Sequence, residues 1–251
     1  MPVTRMWIGL TTMPEPGRDT FLTTRWTLVL AAGGDNPEAK REALSALCAA
    51  YWSPIHAYIR SRGHGPEPAK DLTQEFFARL LEHDWLAGVT QEGSRFRAFL
   101  LVAVKRFLAG DYERQSALKR GGGLPTLSLH SGDIAEPPTP GESPESAFDR
   151  KWALTLIERA LGRLEAEARA SGRSELFARV SGFLASDPEP GAYEGVSQDL
   201  GISRPAVAMA VHRLRLRLRE QVRSEVAETL ADPRLVDDEM RQLLLALRAR
   251  A

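Results

Sequence analysis

Apolar residues at helical spacing recur along this chain, and they constrain its fold more than any other feature. Phe96, Phe99, Leu100, Ala103, Val104, Phe107 and Leu108 follow an i, i+3, i+4, i+7 rhythm, which lays them on one face of an α-helix. Ala69, Leu72, Phe76, Phe77 and Leu80 do the same earlier in the chain. Trp152, Leu156, Ile157 and Leu164 repeat it, as do Leu176, Phe177, Val180 and Leu184. Arginine and leucine alternate like a strand over residues 213–219, but Val207, Val211, Leu214 and Leu218 run through that stretch at helical spacing with no turn signal. The expected fold class is all-α.

Punctuation divides the helical pattern. Residues 1–22, rich in Pro, Thr and Gly, read as a disordered lead, and Met13 is a second candidate start. Thr23 and Thr24 can cap a short helix carrying Trp26, Val29 and Leu30, which stops at Gly33-Gly34. Asn36-Pro37 is a helix start, and Ser53-Pro54 repeats the signal. Leu44, Leu47, Cys48 and Tyr51 lie between them on one apolar face, and Ile55, Tyr58 and Ile59 follow. Cys48 is expected in the core. As the single cysteine it permits no disulfide within the chain, which suits a reducing compartment. Gly63-His64-Gly65-Pro66 breaks the chain before the next helix. From Gly121 the composition turns Pro-, Gly- and Ser-rich with an acidic bias, and helical pattern resumes near Pro144-Glu145. The simplest division is a helical domain over 23–120, a flexible linker over 121–146, a second helical domain over 147–223 and an amphipathic tail over 224–251. No segment reaches transmembrane length, so a soluble cytoplasmic protein without membrane insertion is expected.

The 33 basic and 33 acidic side chains cancel, but they are segregated. Arg95, Arg97, Lys105, Arg106, Arg114, Lys119 and Arg120 form one basic block. Arg204, Arg213, Arg215, Arg217, Arg219 and Arg223 form another, while acids gather at Asp133, Glu136, Glu142, Glu145 and Asp149. Local field rather than net charge decides what a surface attracts, so nucleic acid remains a candidate partner. The second block overlaps a helix-turn-helix pattern. Tyr193, Val196 and Leu200 make a short apolar stripe, Gly201-Ile202-Ser203 a tight turn, and Ser203 caps the helix that follows. Arg204, His212, Arg213 and Arg215 on that helix can hold phosphates.

Opposite the apolar face of the helix around residue 75 runs an acidic, amide-edged stripe of Asp71, Gln74, Glu75 and Glu82. By itself this is an ordinary solvated face. However, Asp71-Leu72-Thr73-Gln74-Glu75, followed by Phe77, Arg79, Leu80 and Leu81, resembles the polymerase-gripping helix of sigma-70-type transcription factors. The order of that helix, a Phe-Arg-Ala helix, a basic segment, a linker and a Leu-Gly-Ile-Ser helix-turn-helix resembles the two-domain factors of the extracytoplasmic-function type. Arg114 with the residues from Lys119 to Gly122, and the run from Ala210 to Arg215, are similar to a long-linker branch of that group. The resemblance spans roughly residues 24–230. It implies a sigma region 2 bundle and a sigma region 4 helix-turn-helix. Asp71, Gln74, Glu75 and Arg79 would dock on the clamp coiled coil of the largest subunit of core RNA polymerase, and the C-terminal domain would meet the flap region. Arg95, Arg97, Lys105, Arg106, Arg114, Lys119 and Arg120 would engage and help open promoter DNA. Ser203, Arg204, His212, Arg213 and Arg215 would face the upstream element, and an anti-sigma protein or other regulator is a further partner to consider.

Two departures stand out. Gly110 replaces a polar helical residue, and a mid-helix glycine costs about 1 kcal/mol relative to alanine. On the reading helix, Ala208 and Met209 cannot form the bidentate hydrogen bonds that distinguish base pairs, so weak direct readout is expected. The rival reading is a stand-alone helix-turn-helix regulator that binds duplex DNA without polymerase. The histidines His56, His64, His83, His130 and His212 show no zinc-motif spacing with a cysteine or acid, and Gly121-Gly122-Gly123 lacks the strand and lysine of a phosphate-cradling loop. Neither a catalytic residue nor a metal or other cofactor is therefore expected, and the enzyme class is the least supported.

Overall fold

A computed structural model describes residues 37–82, 95–120, 142–185, 188–189, 191–230 and 232–248. Among them the regular elements are α-helices and short 3-10 turns, with one isolated bridge between Arg95 and Leu230, so the fold class is all-α. The lead, the expected helix at Trp26, Val29 and Leu30, and residues 121–141 of the expected linker lie outside the described residues. The chain divides into two compact units. Among the described residues, one holds those up to Trp152 together with residues 229–233, and the other holds residues 153–228 and those from Arg234 on.

The first unit is built on α1 (Pro37–Ser61), α2 (Pro66–Glu82), α3 (Phe96–Arg120) and the opening turns of α4 (Pro144–Ala170). Helix α1 runs unbroken through Pro54, so Ser53-Pro54 does not start a second helix as the sequence suggests. A mid-helix proline removes one backbone bond and crowds the preceding turn, at a cost of about 3 kcal/mol. Here that turn is anchored by burial: Tyr51, Pro54, Ile55, Tyr58 and Ile59 are all in the core. Cys48 is half-buried rather than in the core, because it sits at the edge of the buried stripe of Leu47, Ala50 and Tyr51.

Helix α2 buries Ala69, Leu72, Phe76, Phe77 and Leu80, the face its periodicity predicts. Thr73 is buried with them, its hydroxyl donating to the Ala69 carbonyl at 2.6 Å, which satisfies a polar group the interior would otherwise penalise. Aromatic rings lock the packing. Phe76 meets Phe107 edge-on at 5.7 Å, Trp52 stacks on Phe77 at 5.9 Å, and Tyr51 meets Phe96 edge-on at 5.3 Å. Helix α4 begins at Pro144, inside the span assigned to the linker, and its Ser143 hydroxyl accepts from the Ser146 N–H at 3.1 Å as an N-cap.

In the second unit, α5 (Ser174–Val180) and a 3-10 turn (Ser181–Leu184) precede α6 (Ala192–Leu200) and α7 (Arg204–Ala227). Val180, Val207 and Val211 form a small core covered by Tyr193, Val196, Ile202 and Leu214. The tail adopts α8 (Val236–Arg248), which packs on α7 and buries Val236, Met240 and Leu243. Leu235, Leu244 and Leu247 of the same stripe are half-buried. Arg163 pairs with the fully buried Glu225 at 2.8 Å and with Glu228 at 3.2 Å. No helix among the described residues is long and apolar enough to cross a membrane.

Candidate polymerase- and nucleic-acid-binding faces

The acidic stripe of α2 exists as a surface. Asp71, Gln74 and Glu82 are exposed, and Glu75 is partly so. Helical spacing forces this result, because the buried phenylalanines fix the rotation of the helix and turn the carboxylates outward. Arg79 differs from its neighbours: it is paired with Glu75 one turn earlier, and its guanidinium sits 5.4 Å from the centre of the Phe107 ring. That contact packs α2 on α3 and leaves Arg79 half-buried.

Helix α3 presents Ala98, Val102, Lys105, Arg106, Ala109 and Tyr112 to solvent on one face. Tyr112 is 75% exposed. The face therefore combines cations with apolar and aromatic surface, a mixture suited to phosphates and unstacked bases. Phe96 and Phe107 are buried and Phe99 half-buried, so these rings belong to the packing rather than to that face.

The cations of the first basic block are not equally available. Arg106 is exposed, whereas Arg95 is half-buried and pairs with Leu230 through its backbone. Arg97 is turned inward, with its side chain 12% exposed, ion-paired to Asp149 and set 4.7 Å from the centre of the Trp152 ring. Lys105 is held by Glu145 at 2.7 Å. The Lys105 hydrogen bond keeps the Glu145 carboxyl below its usual range and raises the Lys105 ammonium in turn. Arg114, Lys119 and Arg120 lie on the last turns of α3, their side chains outside the described ones.

Sequence reasoning missed a cleft of about 670 Å³ beside Lys105, lined by Tyr58, Arg62, His64, Tyr112 and Glu145 among others. Tyr58 lies on α1 and Arg62 in the turn just after it, but only their meeting with α3 makes a cleft. Burial pushes the Tyr58 phenol up and the His64 imidazole down.

The helix-turn-helix has the local geometry its sequence requires. Gly201 ends α6 with φ +62°, a left-handed conformation natural to glycine, and the Ile202 N–H reaches back to the Ser197 carbonyl at 3.1 Å. Ser203 caps α7 by accepting from the Ala206 N–H at 3.4 Å, with Pro205 in the first turn. Residues 213–219 are helical, as the spacing of their leucines indicates. Along α7, Met209 is 50% exposed and His212 and Arg213 are exposed, while Ala208 is half-buried. Arg204 pairs with Glu194 at 3.2 Å, and Arg215 donates to the Phe183 carbonyl at 2.8 Å. A second cleft, of about 610 Å³, has Leu176, Phe177 and Leu214 on its walls and Arg173, Arg213 and Arg217 among its cations.

Among the described residues no group of three histidine, cysteine or acidic side chains is placed to hold a metal ion. Compared with known proteins, the chain matches no family model, no curated protein and no solved structure.

Proposed function

We propose that this protein is an RNA polymerase sigma factor of the two-domain extracytoplasmic-function kind, working in the cytoplasm. The observation that carries the proposal is α2: of the residues matching the polymerase-gripping motif, Asp71, Gln74 and the partly exposed Glu75 share the outward face, while Leu72, Phe77 and Leu80 are buried. In this reading that face docks on the clamp coiled coil of the largest subunit. The mixed basic and aromatic face of α3 engages promoter DNA as it opens. Helix α7 meets the upstream element, held chiefly by phosphates because Ala208 and Met209 offer no bidentate contact to bases. The apolar walls of the second cleft suit the expected contact with the flap region.

The test is a paired substitution, Asp71→Lys with Glu75→Lys, in the full chain. Both positions are at least partly exposed, so the helical content should be retained. Capture of core polymerase and promoter-dependent transcription should both be lost. Undiminished capture would remove the docking assignment. A stand-alone helix-turn-helix regulator is the second reading, favoured by the self-contained caps at Gly201 and Ser203. It requires duplex binding without any affinity for polymerase, so the unsubstituted chain separates the two readings in the same capture assay.

A further inference from the structure

Glu145 and Asp149 lie one helical turn apart at the start of α4, on the same face. Each meets a cation of α3: Glu145 takes Lys105 at 2.7 Å, and Asp149 takes Arg97. The start of α4 is itself held in place. The Arg150 guanidinium grips both carboxylate oxygens of Glu142, at 2.9 and 3.2 Å, and Ser143 caps the helix. The two acids are therefore presented in fixed register against the helix proposed to meet promoter DNA. The two pairs differ in openness. Arg97 is enclosed over Trp152, whereas Lys105 and Glu145 remain 46% and 42% exposed, so a phosphate can compete for the ammonium. Arg106 on the same exposed face is open to a first contact.

We propose that the first turn of α4 is a built-in phosphate mimic: the Glu145 carboxylate occupies Lys105 in the free chain, and nucleic acid must displace it to use that cation. This rests on the reading of α3 as a nucleic-acid face. The device makes the free factor a poorer DNA binder than its count of basic residues suggests. It acts through one exchangeable ion pair, so its effect is graded rather than all-or-none.

The experiment compares the full chain with Glu145→Gln, Lys105→Gln and the double variant. The readout is anisotropy of a labelled single-stranded oligonucleotide and of a random-sequence duplex over a range of salt. Exposed pairs are weak, so Glu145→Gln should tighten binding about two- to five-fold. Its dependence on salt should steepen by about 0.7 on the single strand and about 0.9 on the duplex, as expected for one more phosphate contact. In the Lys105→Gln background the same substitution should give no gain. An equal gain in both backgrounds would mean that only net charge had changed, and would overturn the proposal. It fails equally if Glu145→Gln gives no gain beside Lys105, or if neither form binds nucleic acid at the lowest salt. Polymerase capture with the same variants reads the sigma assignment separately: a chain that ignores polymerase yet shows the Lys105-dependent gain would refute that assignment and support the shielding.

Discussion

Arg97 is the position where a structural role and a DNA-binding role make opposite predictions. Its guanidinium lies between the Asp149 carboxylate and the Trp152 ring, with 12% of the side chain exposed. A hydrogen bond to a charged partner contributes about 1.5–3 kcal/mol, and a partly desolvated cation–π contact about 0.5–2 kcal/mol. Asp149 keeps a third of its own side chain in solvent, which places the ion pair toward the low end of its range. Arg97→Ala should therefore cost about 2–4 kcal/mol. Arg97→Lys keeps the charge but loses the planar face and the fork, and should cost about half as much.

Urea denaturation followed by circular dichroism measures this cost, and the midpoint should fall by about 1–2 M. Because the chain divides into two contact units, amide exchange over residues 96–107 should accompany it, with lost protection confined to the unit that holds α3. A cycle with Trp152→Phe should return a coupling of about 0.5–1 kcal/mol, since phenylalanine retains a weaker ring face. DNA affinity, measured where the variant remains folded, should keep its salt dependence. If Arg97→Ala instead changed stability by less than about 0.5 kcal/mol while the salt slope fell by about 0.9, the guanidinium would be a phosphate contact. The enclosed geometry would then be the wrong account.

Two glycines should respond in opposite directions. A methyl group at Gly110 would meet nothing within 4 Å on helical backbone, so Gly110→Ala should stabilise by about 0.5–1 kcal/mol in thermal melts. Gly201→Ala, with its φ of +62°, should destabilise by about 1–2 kcal/mol. Acid should weaken the first unit. Burial holds His56 and His64 below the ordinary histidine value, with Arg60 and Lys151 adding repulsion at His56 and Arg62 at His64, while Asp111 opposes the shift at His64. Both favour the neutral form in the folded state, so their contribution is complete above the unfolded value of about 6.5 and is lost as pH falls through the depressed folded values. Chemical denaturation at pH 7.5 and 5.5 should show that decline, and His56→Gln with His64→Gln should flatten it. On the proposed sigma-factor reading of α7, Ala208→Arg should sharpen upstream base preference in a promoter library; an unchanged preference would remove the stated reason for weak readout.

The buried face of α2 was legible because burial in a helix is written in local spacing, and five apolar residues at the right intervals leave one orientation. The turn at Gly201-Ile202-Ser203 was legible for a related reason, since Gly201 answers the demand for a left-handed residue and Ser203 the demand for a helix cap. Pro54 was misread because its penalty is local while the compensation comes from tertiary burial of Tyr51, Ile55 and Tyr58. Charge was the least legible property. Arg97 and Asp149 are 52 residues apart in sequence, and no periodicity announces their pairing. A basic block read from sequence counts charges, whereas affinity for nucleic acid depends on the cations left to release counterions. Among the described side chains of the first block, Arg95 is half-buried, Arg97 enclosed, Lys105 shared and Arg106 open, so these four should contribute fewer phosphate contacts than their number implies. The acids that cancel the net charge on paper thus include some that cancel it in place, at Asp149 and Glu145. A sigma factor with such a surface would depend on the polymerase held by α2, more than on its own cations, to bring it to DNA.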